Sequence, residues 1–305
     1  MENKPNKRRW FHVSRWKLFV ALIVICAGFG AAFTSGVAKI RRHAAVETIE
    51  RAGGRIDYAE IADDESSVSR TLRHYFPRDW FDDVITIDLR AGKVTDSDLA
   101  ALESFPELQT LAVERVDVTD AGLAHLKGLR SLKTLLLTDT NITDAGLANL
   151  KELTALQSLS LGRTKVTDAG LVHLKGLTAL RSLWLNDTQV ADAGLVHLKG
   201  LAGLEELSLA STQITDAGLA DLKGLTGLQL LALAQTQISD AGLPNLKALV
   251  ALEALSLDHT QVTDAGLSHL KGIQGLKTLS LYNSKVTDEG ETGFKKEFPN
   301  CRIFR

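Results

Sequence analysis

A five-residue phrase, Thr-Asp-Ala-Gly-Leu, returns along this chain with a fixed period. It stands at residues 143–147 and 167–171, and the column headed by its Thr-Asp pair runs from Thr95 through 119, 143, 167, 191, 215, 239 and 263 to Thr287. Ala191 and Ser239 are the only variants in that column, and every interval is 24 residues. Strict self-similarity at this period means stacked units, not one globule. Each unit has an apolar face that it cannot bury alone, and stacking makes the core. With 305 residues, 45% of them hydrophobic, that core is large and linear.

Charge is informative once it is divided along the chain. The net value is −2, yet residues 1–17 carry six Lys/Arg against one Glu, while residues 84–305 carry 21 against 26 acidic residues. A mildly acidic array lacks the basic footprint that neutralises phosphates, which argues against a nucleic-acid partner. The two cysteines, Cys26 and Cys301, lie at opposite ends and form neither a disulfide framework nor a metal-binding spacing.

From Leu18 to Ala38 the chain runs 21 residues without a charge. At 1.5 Å per residue a helix of that length crosses a bilayer core of about 30 Å. Lys4, Lys7, Arg8, Arg9, Arg15 and Lys17 precede it, and Lys39, Arg41 and Arg42 follow closely. The positive excess therefore keeps residues 1–17 in the cytoplasm and places the array outside it. A cleaved signal peptide is the competing reading, since Gly36-Val37-Ala38 offers small residues for cleavage. Trp10 and Trp16 suit the membrane interface, and Cys26 lies within the span.

Residues 39–83 fall outside the period and read as a linker and N-terminal cap. His43 to Arg51 has Ala45, Val46 and Ile49 at helical spacing, and Gly53-Gly54 stops it. Arg55 to Ile61 alternates as a strand, the acidic run Asp63-Asp64-Glu65 reads as a solvated turn, and Ser66 to Phe76 reads as helical. Leu72, Phe76, Trp80 and Phe81 would cover the first coil, which has no neighbour on that side.

The internal frame of one unit is shown by Leu132, Leu135, Leu137, Thr140 and Ile142, after which Thr143-Asp144 opens a short helix. This LxxLxLxxTxI pattern repeats through Leu276, Leu279, Leu281, Ser284 and Val286, and a degenerate copy begins at Val84, Ile87, Leu89 and Val94. It resembles the leucine-rich repeat family, in the helix-containing form with the Thr-Asp-Ala-Gly-Leu signature that many bacterial surface proteins carry. The resemblance covers residues 84–305. It implies an α/β right-handed solenoid, a horseshoe or arc, with a parallel sheet on its concave side and short helices on its convex side, here preceded by one transmembrane helix. Where the family has Asn or Cys at the ninth position, this chain has Thr (140, 164, 188, 212, 236, 260), whose hydroxyl serves turn backbone groups similarly, so the ladder should survive. A glycine in each first helical turn, from Gly122 to Gly290, implies close packing between coils. Lysines at the helix ends, from Lys127 to Lys271, suit the dipole. Phe294, Phe298, Pro299 and Cys301 to Phe304 close the far end.

Motifs for chemistry are absent. The histidine column, His125, His173, His197 and His269, precedes inward leucines and should point into solvent, on coils too far apart to share a metal. No nucleophile elbow, zinc-protease motif or phosphate loop occurs, and no cofactor or metal is expected. The informative surface is the concave one. Its fifth column reads Asp88, Ala112, Leu136, Ser160, Trp184, Ser208, Ala232, Ser256, Ser280, a floor of small side chains around one tryptophan. The eighth column alternates Arg115, Asp139, Arg163, Asp187, expected to pair as a ladder. Trp184, Asn186, Asp187, Arg163 and Arg181, with Leu136, Asp258, His259 and Tyr282, are the candidate partner-binding residues. The expected partner is a protein, with a glycan as second choice. The alternatives are a structural spacer or self-assembling envelope component, and a carbohydrate-directed enzyme using Asp187 and Glu206.

Overall fold

A computed structural model describes residues 30–59, 78, 82–90 and 92–305. The basic N-terminal tail, both of its tryptophans, Cys26, the acidic run and the lid residues Leu72, Phe76, Trp80 and Phe81 lie outside the described residues.

The array is one 11-stranded sheet whose spatial order equals its sequence order. The strands are β1 (Arg55–Tyr58), β2 (Val84–Asp88), β3 (Thr110–Ala112), β4 (Thr134–Leu136), β5 (Ser158–Ser160), β6 (Ser182–Trp184), β7 (Glu206–Ser208), β8 (Leu230–Ala232), β9 (Ala254–Ser256), β10 (Thr278–Ser280) and β11 (Arg302–Phe304). All neighbours pair in parallel except β1, which pairs antiparallel with β2. Register between repeats is in phase, so Leu111, Leu135, Leu159 and Leu183 face one another strand to strand. All of these leucines are buried, as are the helix leucines such as Leu123, Leu147 and Leu171. The core is therefore a continuous apolar column between the sheet and the short α and 3-10 turns behind it.

The N-terminal helix is longer than its apolar spacing suggests. Helix α1 spans Gly30–Arg51, 22 residues, so the last residues of the charge-free stretch and the segment from His43 form one helix. It ends in a Schellman motif: Gly53 takes φ 87, its N–H bonds to Glu50 O, and the Gly54 N–H reaches back to Ile49 O. Ala45, Val46 and Ile49 are buried in the core. Among the described residues α1 is thus the lid of the first coil. Among them no helix is long and apolar enough to cross a membrane. Of the 18–38 stretch, 18–29 fall outside the described residues. Strand β1 stops at Tyr58, three residues short of the alternating pattern.

The Thr-Asp column does more than open helices. Asp120 accepts the backbone N–H of Thr143 at 2.8 Å and also its hydroxyl, one repeat further on. The same pair of hydrogen bonds joins Asp96 to Thr119, Asp144 to Thr167, Asp192 to Thr215, Asp216 to Ser239, Asp240 to Thr263 and Asp264 to Thr287. At the far end the two Thr287 donors hold the Asp264 carboxyl below its ordinary 3.8. This aspartate ladder explains the glycine column. A Cβ on Gly122 would stand 2.5 Å from Asp96 Oδ1, so only glycine leaves room for the carboxylate that crosses from the preceding coil.

The ninth-position threonines serve turn backbone groups, as expected, and do so within their own coil. They are buried, and each donates to a carbonyl three residues back in its own coil, as Thr140 does to Leu137 O at 2.7 Å. They close their own turn, so the polar tie between repeats has moved from the ninth position to the aspartates. Ala191 is the natural gap in that tie. It offers Asp168 a backbone N–H at 2.7 Å but no hydroxyl, and its short helix has no side-chain cap. Ala191→Thr is therefore expected to stabilise the fold by about 1 kcal/mol, by restoring a cap and a charged-acceptor bond. Urea unfolding of the two proteins side by side measures it.

The last repeat ends in a 10-residue helix, Asp288–Glu297, where Phe294 and Phe298 stack at 4.5 Å and, with Cys301, are buried. Burial raises the Cys301 thiol pKa above its ordinary 9.0, as befits a packing residue. Phe304 is not part of this plug and remains 41% exposed.

Candidate functional site

Side chains two apart along a strand share a face, so positions three, five and seven of each repeat form the open side of the sheet, opposite the leucines. The N-terminal end of this face is self-neutralised. Arg90 bonds both Asp88 oxygens, at 3.0 and 2.6 Å, and lies 3.5 Å from Glu114. The Arg90 guanidinium holds the Asp88 carboxyl below its ordinary 3.8.

Trp184 stands at the end of β6 between Ser160 and Ser208, and is half-buried, not fully exposed. Beside it the Asn186 side chain lies over Gly162, where a Cβ would come within 2.9 Å of the amide. Asn186 also donates to Asp187 Oδ2 at 3.0 Å, and Asp187 in turn lies 3.5 Å from Arg163 Nε. The structure therefore brings Trp184, Asn186, Asp187 and Arg163 into one patch. Leu136, half-buried in β4, stands in the same column as Trp184 two strands away, about 10 Å at the usual strand spacing.

Other expected members are used differently. Arg181 pairs with Glu205 at the entry to the strands, outside the Trp184 patch. Asp258 accepts from Ser256 Oγ at 2.8 Å, Ser280 Oγ at 2.6 Å and the Tyr282 N–H at 2.7 Å, so it is a brace between repeats. Tyr282 is 60% exposed, with the His259 ring edge-on at 5.5 Å. His259 and Tyr282 lie three and four strands from Trp184, about 14 and 19 Å away, in a separate cluster.

The eighth column is not the charge ladder expected from its alternating signs. Of Arg115, Asp139, Arg163 and Asp187, only Arg163 and Asp187 pair among the described residues, and both are exposed. What the column shares is backbone. Arg115, Asp139, Arg163, Asp187, Ser211, Gln235, His259 and Asn283 all take φ between 54 and 60. From Arg115 to His259 each N–H donates to the seventh-position carbonyl of the next repeat, as Asp187 does to Ala210 O at 2.9 Å. This left-handed turn ends each strand and carries the chain over to the next coil. Residues other than glycine bear some strain there, offset by the inter-repeat bond. Asp187, one of the two carboxylates of the enzyme alternative, is engaged with Arg163 and Asn186.

On the helix side the histidines are half-buried instead of pointing freely outward, and the preceding Val172 and Val196 are the exposed residues. His125 bonds Glu103 at 2.7 Å, whereas His197 Nδ1 is buried with no partner among the described residues. Burial, reinforced by Lys175 and opposed by Asp168, pushes His197 below its ordinary 6.5. The unfolded chain therefore takes up this proton first as pH falls below about 6.5, and stability declines from there toward the lowered folded value. Melting temperatures should fall less steeply for His197→Gln than for the parent between about pH 7 and pH 5. No group of three or more His, Cys, Asp or Glu positioned for a metal occurs among the described residues.

Comparison with known proteins places this geometry. The Leucine Rich repeat family model matches residues 128–151 and 204–223. Internalin C2 of Listeria monocytogenes is 30% identical over 70% of this chain and 83% of its own, with a TM-score of 0.54. A second Listeria monocytogenes internalin is 23% identical over 67% of this chain and 69% of its own, TM-score 0.51, and shares the fold. A leucine-rich repeat protein of Leptospira interrogans, 19% identical over 72% of this chain and 59% of its own, TM-score 0.52, does likewise. A comparison with functionally curated proteins gave no match. The chain belongs to the leucine-rich repeat family, whose repeat arrays are built for interaction with other proteins.

Proposed function

We propose that this chain is a membrane-anchored recognition protein that binds a protein partner through the open face of its sheet. The observation that carries this reading is the Trp184 patch: an aromatic ring on a floor of serines and alanines, with Asn186, Asp187 and Arg163 at its edge. No core role demands a tryptophan on that face, and a rigid sheet presenting one costs little ordering on association. The charge-free stretch 18–38 and the basic residues before it support an anchor with the array outside the cytoplasm. The ladders that fix each repeat to the next make the array a scaffold, and catalysis is not part of this proposal.

The test is affinity capture from a detergent-solubilised cell envelope, with the full chain as bait beside a Trp184→Ala/Arg163→Ala double variant. Retention by the parent, loss by the variant and an unchanged melting temperature are expected. Identical capture by both baits would sink the reading. A second reading, assembly through the helix side, has Val172 and Val196 in its favour, 40% and 42% exposed in adjacent repeats. It predicts concentration-dependent light scattering that Val172→Ser/Val196→Ser abolishes.

A further inference from the structure

The columns of the open face run one strand further than the repeat frame. Strand β11 pairs in register with β10, Arg302 opposite Thr278 and Phe304 opposite Ser280. Arg302 and Phe304 thus extend the third and fifth columns onto the same face as Trp184. Phe304 is 41% exposed and Tyr282, in the seventh column of the neighbouring repeat, 60%. The Arg302 guanidinium sits over the Phe304 ring, 4.6 Å from its centre. No carboxylate pairs with Arg302 among the described residues, whereas its neighbour Arg305 is held by Asp288 and Glu291. Asp258, in the seventh column two strands away, is turned toward its three donors and orients the Tyr282 backbone. His259 completes the edge, bonded to the Asn283 amide at 2.9 Å.

Two exposed rings and an unneutralised guanidinium have the composition of a binding hot spot. A guanidinium stacked on a ring keeps its planar fork free and pre-aimed for two-point contact with a carboxylate. We infer that this end of the face is a second anchor, taking a polypeptide segment with a carboxylate beside an apolar side chain. The carboxylate pairs with Arg302, and the apolar group lies between Tyr282 and Phe304. Trp184 and Phe304 occupy the same column five strands apart, about 24 Å, with Ser208, Ala232, Ser256 and Ser280 between them. A partner segment of about seven extended residues spans both anchors over that small-residue floor. The inference rests on the open face being the binding surface, and it assigns that surface an acidic ligand.

The experiment selects random peptides of about 12 residues on the full chain in detergent, then measures the enriched peptides by fluorescence polarisation. Peptides carrying Asp or Glu next to an apolar or aromatic residue are expected. Tyr282→Ala should weaken them about 30-fold and Arg302→Gln about tenfold, the latter with most of the salt dependence lost. Arg302→Lys should restore little of the binding, because an ammonium cannot make the forked contact. Tyr282 and Arg302 are both exposed, so unchanged melting temperatures certify the folds. Peptides weakened by Tyr282→Ala and Arg302→Gln but not by Trp184→Ala support this anchor and count against the central one. Peptides weakened only by Trp184→Ala do the reverse. Enrichment without carboxylates, no enrichment, or a neutral oligosaccharide that needs Tyr282 and ignores Arg302 overturns the proposal.

Discussion

Asp192→Ala should lower the unfolding free energy by about 3 kcal/mol, because it removes two hydrogen bonds to a charged acceptor and leaves a part-buried N–H without a partner. Asp192 accepts the Thr215 N–H at 2.8 Å together with its hydroxyl, and the two bonds join one coil to the next. The effect should be graded along the column. Asp168 serves only the N–H of Ala191, so Asp168→Ala should cost about half as much. Urea unfolding followed by circular dichroism reads both values. In a stacked array a weakened interface can also split the transition, which would place the break between the coils carrying residues 192 and 215. Equal costs for the two substitutions would contradict the ladder as the source of the effect.

Arg42→Ala should detach the N-terminal lid. The Arg42 guanidinium lies 2.7 Å from Glu107 and 3.5 Å from Asp83, donates to Asp82 O at 2.9 Å and sits over the Phe105 ring at 5.7 Å. With only 18% of its side chain exposed, it ties helix α1 to the first two coils. Its removal strands Glu107, three-quarters buried, without its ion-pair partner. A loss of about 2 kcal/mol is expected, below the full value for a deeply buried pair because both side chains are partly exposed. Hydrogen exchange gives the sharper readout. Amides around Ala45 to Arg51 should lose protection, while those of β6 to β9 keep theirs. Uniform loss across all repeats would mean that the array unfolds as one unit.

Several of these features can be read in the sequence, and the reasons why others cannot are physical. The 24-residue period specified stacked coils, and the glycine column specified tight contact between them. Nothing in the spacing said that the contact was an aspartate from the preceding coil, because Thr-Asp at a helix start has a sufficient local explanation as a cap. The left-handed eighth column was hidden for a similar reason. Asp and Asn tolerate that backbone, but Arg, Ser, Gln and His share the position, so a conformational constraint looked like a pattern of charge. Helix α1 was underestimated because, among its described side chains, the buried ones are Ala45, Val46 and Ile49, all within the segment from His43. Phe304 was assigned to the end plug, although Ser280 plus one period leads directly to it. Of the candidate site, Trp184, Asn186, Asp187 and Arg163 come together, Asp258 turned out to be a brace, and Arg302 had not been suspected.

The central claim, that the open sheet face meets a protein partner, is tested most directly by photocrosslinking in the cell envelope. A benzophenone amino acid placed at Ser208, beside Trp184 on the open face, is compared with one at Val196 on the helix side. The account expects a discrete, mass-shifted adduct from Ser208 that disappears when Trp184→Ala is added, and none from Val196. Adducts from Val196 alone, or from Ser208 regardless of Trp184, would contradict it.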